Sequence, residues 1–145
     1  MPKLFAMLAV LVAGVGVALQ PPTNAALART AGSVWLAALI SFSVGTMALL
    51  IAWSIDRTPA SAARGAPWWA WLGGLYGAAF VAALAYATPR LGLAVTLTVA
   101  VASQLATALL VDRFALLGLP AQPLSAGRVA GVVLVLAGAL LVRRG

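Results

Sequence analysis

Five long apolar stretches, each bounded by charge, proline or glycine, account for most of this chain. The first begins at Leu4 and stays apolar to Leu19. It then meets the polar string Gln20-Pro21-Pro22-Thr23-Asn24 and resumes over residues 25–28 before Arg29. The second covers about 33–55 and stops at Asp56-Arg57. Residues 58–67, rich in Pro, Ser, Gly and Arg, read as the longest polar linker. The third spans 68–87, after which Thr88-Pro89-Arg90 is expected to turn the chain. The fourth covers 91–111 and ends at Asp112-Arg113. A softer connection with Pro120 and Pro123 leads to Ser125, suited to cap a helix N-terminus. The fifth then runs over 126–142, with Arg143-Arg144 anchoring its end.

Each stretch approaches the roughly 20 apolar residues that a helix needs to cross a bilayer. The pattern predicts an all-α fold: an integral membrane bundle of about five transmembrane helices forming one domain over residues 1–145. The first stretch also carries marks of a signal peptide, namely Lys3, an apolar core and Ala26-Leu27-Ala28 as a cleavage site. The reading adopted is a retained first span.

Composition sharpens this picture. Of 145 residues, 64% are hydrophobic and 8% charged, and the mean hydropathy is +1.10; a soluble domain is about 25% charged. Cysteine, histidine and glutamate are absent, and the acids are Asp56 and Asp112. Thiolate nucleophiles, disulfides, zinc clusters and the usual proton shuttle are excluded. No catalytic residue, cofactor or metal site is assigned, and an enzyme is not expected. The net charge of +7 would suggest nucleic acid in a soluble protein. Here the basic residues lie near the ends of the apolar runs, where they meet lipid headgroups. Membrane lipid is the expected partner, and nucleic acid is not.

Basic residues normally concentrate on the cytoplasmic side. With five spans, one side carries Lys3, Arg57, Arg64, Arg113 and Arg128, and the other Arg29, Arg90, Arg143 and Arg144. Five against four is almost no bias. Such a chain can insert both ways, and opposite insertions can pair as an antiparallel dimer; alternatively one residue, such as Lys3, fixes a single topology.

The segments QPPTNAAL from Gln20, AALISFSVGT from Ala37 and WAWLGGLYG from Trp69 occur in that order. Pro89-Arg90-Leu91-Gly92, Ser103-Gln104-Leu105, Asp112-Arg113-Phe114 and a closing run with Arg128, Gly131 and Gly138 follow. Together, over nearly the whole chain, they resemble the YdcZ-like family of five-span proteins in the drug/metabolite transporter superfamily. Two positions depart from that family's pattern: Ser103 stands where glycine is usual, and Arg113 where histidine is usual. The resemblance implies a unit equivalent to half of a ten-span transporter, multi-pass in the bacterial inner membrane. Two copies, or one copy and a related five-span chain, would then make a working transporter.

The candidate site starts at Gln20-Pro-Pro-Thr-Asn24. If the first helix continues to about Ala28, Gln20 and Asn24 share a face within the membrane at i and i+4. Pro21 and Pro22 lack the N–H groups that would bond the carbonyls of Val17 and Ala18. Lipid offers no substitute donors, and interrupted helices often line substrate sites in transporters. The alternative is a helix ending at Leu19, too short for a hydrocarbon core of about 30 Å. In the second span Ser41 and Gly45 have packing spacing, while Ser43 is free to face a cavity. Trp68 and Trp69 read as an interfacial belt; Trp71 and Tyr76 lie deeper, where an aromatic face suits a flat or cationic solute. Gln104 is an amide within the fourth run and needs a partner, either another helix or a ligand. No charged residue sits at the centre of a span. Asp112, at a membrane boundary beside Arg113, reads as half of an interfacial ion pair or as a coupling carboxylate.

These residues suggest a transporter of small neutral or amphipathic solutes, a small-molecule site being formed by Gln20, Asn24, Ser43, Trp71, Tyr76 and Gln104, with alternating access in a dimer. Two other classes stay open: a membrane scaffold or accessory subunit, and a lipid-handling protein with a cavity open to the bilayer.

Overall fold

The computed structural model describes residues 2–144, without the side chains of Pro2 and Arg143. The anchoring role expected of the Arg143 side chain therefore lies outside the described residues. Five α-helices follow one another: α1 (Pro2–Ala31), α2 (Val34–Asp56), α3 (Gly73–Leu91), α4 (Leu93–Arg113) and α5 (Ala126–Arg144). Short 3-10 turns occur at Ala60–Gly65, Trp68–Leu72 and Leu116–Gly118. Four helical segments have the length and hydropathy to cross a membrane, and the fifth apolar segment, Ala126–Val142, is shorter. In the most apolar window of α1 only 6% of residues are buried, and in that of α2 11%. Side chains such as Val10, Leu11, Val44 and Ile51 point outward, as they must where the solvent is hydrocarbon and the hydrophobic effect gives helices no reason to hide them.

The chain divides into two compact units, residues 1–90 and 91–145. In the first, α1 packs on α2. The reversal between them uses Gly32 at φ +68°, a left-handed conformation that suits glycine. Ser33 then caps α2, its Oγ accepting from Leu36 N at 3.2 Å. A small core joins α2 to α3, with Ala38 against Val81 and Ala82, and Phe42 packed on that cluster. Gly77 makes room for the Phe42 ring: a Cβ there would stand 3.2 Å from Phe42 Cζ. In the second unit α4 packs on α5. Ser125 caps α5 as expected, its Oγ accepting from Arg128 N at 3.2 Å.

Two boundaries differ from the sequence expectation. The third span opens with a 3-10 turn at Trp68–Leu72, and its α-helix begins at Gly73. At the other end Pro89 lies inside α3 and does not turn the chain. Side-chain donors reinforce the carbonyls on either side of Ala85, whose own loses its usual donor to Pro89: Thr88 Oγ1 donates to Leu84 O at 2.7 Å, and the Arg90 guanidinium donates to Tyr86 O. Arg90 also lies 3.6 Å from the centroid of the Tyr86 ring, a cation–π contact. The helix breaks instead at Gly92, which precedes α4 with φ +80° and ψ 154°.

Candidate functional site

The decisive local feature is that α1 runs unbroken through Pro21 and Pro22 as a helix of 30 residues. At 1.5 Å per residue it is about 45 Å long, well beyond a hydrocarbon core of about 30 Å. It therefore tilts or reaches into the headgroups, and its proline step falls inside the long apolar helix. Pro21 and Pro22 cannot donate to the carbonyls of Val17 and Ala18. Thr23 reinforces the next two, its Oγ1 lying 3.2 Å from Leu19 O and 2.8 Å from Gln20 O. The disturbed stretch is thus confined to one turn.

Pro21, Asn24 and Ala25 are the buried residues of α1, spaced i, i+3 and i+4 along one stripe. Asn24 is only 5% exposed, and its Nδ2 is buried with no hydrogen-bond partner among the described residues. One turn earlier, half-buried Gln20 lines a cavity of ≈ 180 Å³ together with Ser41, Phe42, Gly45, Thr46 and Leu49 of α2. This first unit therefore holds an orphaned amide donor and, on the same helix face, a second amide opening into a small, mixed cavity.

The other expected residues fall differently. Ser43 is exposed, and its Oγ donates to Leu39 O at 2.9 Å; it is Ser41 and Thr46 that share the cavity with Gln20. The spacing of Ser41 and Gly45 signalled packing, and the same spacing leaves room for a hollow once the neighbouring residue is glycine. Trp71 and Tyr76 are 65% and 62% exposed and line none of the cavities described here.

In the second unit, Gln104 lines a different cavity of ≈ 380 Å³ with Ser103, Thr107, Val111, Asp112 and Leu119. Ser103 and Thr107 return their hydroxyls to the backbone, at 2.8 Å from Ala100 O and 2.9 Å from Ser103 O. Asp112 is paired, but not with its neighbour Arg113: Oδ2 lies 3.3 Å from Nη1 of Arg128 at the start of α5. Adjacent residues on a helix point about 100° apart, whereas the antiparallel packing of α4 on α5 brings Arg128 across. Sequence reasoning had placed Arg128 only as a membrane-edge cation. The connection is further fixed by Gln122 N donating to Asp112 O at 2.9 Å. Among the described residues no group of three or more His, Cys, Asp or Glu is placed to hold a metal.

The chain as a whole is similar in sequence to known proteins. Residues 5–141 match the family model described as "Putative inner membrane exporter, YdcZ". The chain is 31% identical over 135 residues to the inner membrane protein YdcZ of Escherichia coli (strain K12), covering 91% of this chain and 90% of that one. No solved structure matches the chain. A match along almost the full length to both, on top of five apolar helices in the same order as the resembling motifs, makes this chain a member of the YdcZ family.

Proposed function

We propose that this chain, a multi-pass protein of the inner membrane in a family of exporters, moves a small neutral or amphipathic solute through a polar site on α1. Membership of a family described as inner membrane exporters supports a transporter rather than an enzyme. The observation that carries the finer reading is Asn24, an amide that is 95% buried with an unused donor at Nδ2. Leaving such a donor unpaired costs about 1–3 kcal/mol, and the bilayer supplies no water to relieve it. A solute bearing a carbonyl, ether or hydroxyl oxygen relieves it. Gln20 supplies a second amide at the adjoining cavity, and Ser41 and Thr46 line its far wall. The site contains no charged side chain, which fits a neutral group in the solute.

The working unit is a dimer, antiparallel where both insertions occur, which exposes the site to each side in turn. The near-balanced distribution of basic residues supports it, as does the family's place as half of a ten-span transporter. Reconstitution into liposomes tests the site. A panel of labelled neutral and amphipathic solutes is offered to the wild type, Gln20→Ala and Asn24→Ala. A solute taken up by the wild type should enter roughly 5- to 150-fold more slowly with Asn24→Ala, the cost of leaving the solute's buried acceptor unpaired. Unchanged uptake in both folded variants removes the α1 site. If no solute in a broad panel moves, the scaffold reading takes its place.

A further inference from the structure

The trough between α4 and α5 belongs to the second unit alone and is lined by Leu105, Ala108 and Leu109 of α4 and by Gly131, Val132 and Val135 of α5. It encloses ≈ 410 Å³. One end is polar: Asp112 and Arg128 also line it, joined at 3.3 Å and both partly exposed. From that pair the wall runs back along α4 to Leu105 and forward along α5 to Val135, about 10 Å in each case at 1.5 Å per residue. Both helix ends that carry the pair are span ends, so the pair lies at the membrane boundary and the apolar part runs inward. That is the orientation of an amphiphile in one leaflet, with its headgroup outward and its chain inward.

We propose that this trough seats a zwitterionic phospholipid carrying a primary amine, with one acyl chain along the apolar walls and its headgroup between Arg128 and Asp112. A guanidinium offers five donors, and among the described residues the ion-pair contact of Arg128 is a single one, to Oδ2 of Asp112. A phosphate therefore finds unused donors on Arg128 without breaking the pair, and a bidentate geometry is open to it. Asp112 keeps acceptor capacity for an ammonium group, since an ionised carboxylate has about four lone-pair sites. A net-anionic headgroup meets Arg128 but places no cation on Asp112; a quaternary amine carries charge but no N–H to donate. The inference is independent of the α1 site and stands or falls without it.

Gly131 suits the test, because it lines the trough and nothing lies within 4 Å of where its Cβ would stand; Gly131→Leu places a bulky apolar side chain there. Gly138, on the same helix and also open, supplies the folded control as Gly138→Leu. The purified full chain in maltoside micelles is mixed with phosphatidylethanolamine, phosphatidylcholine or phosphatidylglycerol, and retained lipid is read by native mass spectrometry. Phosphatidylethanolamine should be retained roughly tenfold or more over the other two, the scale of one charge-assisted hydrogen bond. Asp112→Asn should abolish that preference. Gly131→Leu should abolish retention, while Gly138→Leu leaves it intact. Equal retention of all three lipids, or unchanged retention in Gly131→Leu, overturns the proposal. So does conversion of a dimer to a monomer by Gly131→Leu with lipid retention unaltered, since a second copy would then occupy the trough.

Discussion

Replacing Asn24 by leucine should make the empty protein more stable and the transporter inactive. In the wild type the Asn24 Nδ2 is buried without a partner, and such a group costs about 1–3 kcal/mol in protein interiors. Leucine shares the branching of asparagine at Cγ but is distinctly larger, so overpacking of the stripe formed by Pro21, Asn24 and Ala25 offsets part of that gain. Helix propensity adds a few tenths of a kcal/mol to the gain. The expected net gain is therefore smaller than the full penalty of about 1–3 kcal/mol, measured by reversible unfolding in mixed micelles of maltoside and dodecyl sulfate followed by circular dichroism. Gln20→Leu, at a half-buried residue facing an open cavity, should gain less. In liposomes the Asn24→Leu protein should lose uptake of any solute the wild type carries. A solute that stabilises the wild type, by the usual mass-action increment, should no longer stabilise the variant. If Asn24→Leu instead destabilises the protein by 1 kcal/mol or more, the amide is already bonded in the assembled molecule. The inference from orphaned donor to solute site is then refuted.

Four further outcomes follow from local geometry and charge. Gly92→Ala should cost about 1–3 kcal/mol in the same unfolding assay, because φ +80° and ψ 154° is a region almost reserved for glycine while no atom crowds the added Cβ. Arg57 caps α2 in the left-handed region at φ 59°, its N–H donating to Trp53 O, so Arg57→Gly should raise stability by about 0.5–1 kcal/mol. Gly77→Leu should destabilise by about 1–3 kcal/mol through overpacking against Phe42. Reporters fused to the C-terminus should be found on both sides of the membrane, and replacing Arg29 and Arg90 together by serine should leave one orientation only.

The five helices were legible because hydropathy and length alone decide a transmembrane span, and the observed ends fall within a few residues of the apolar runs. The continuation of α1 through two prolines was legible from length: a helix stopping at Leu19 could not cross. The errors lie where side chains bond locally. Pro89 reads as a stop, yet Thr88 and Arg90 bond the carbonyls of Leu84 and Tyr86 and the helix continues to Leu91. The tryptophans at 68–72 read as helix from the first residue, yet the segment is 3-10. Partners across helices were the least legible. Asp112 reads as the neighbour of Arg113, and only the packing of α4 on α5 assigns it to Arg128. Ser41 and Ser43 are equivalent in composition, and only the helix rotation decides which of them reaches the hollow beside Gln20.

What an unpaired amide means depends on the solvent around it. In a soluble protein a buried Nδ2 without a partner usually marks a trapped water, and the neighbouring surface supplies more. Within the hydrocarbon region there is no such reservoir, so an unbonded donor on α1 requires a cavity that admits water or solute, or a second chain. The cavity lined by Gln20, one turn away on the same helix face, is the proposed route to the first. The dimer proposed from the near-balance of basic residues is the second. Both answers demand the same residue for different reasons, and they predict opposite signs for Asn24→Leu: a stabler empty protein if the donor waits for a solute, a weaker dimer if it waits for the other copy. A transporter that must release what it carries gains from the first arrangement, since one or two neutral hydrogen bonds, each worth about 1 kcal/mol net, select a solute without trapping it.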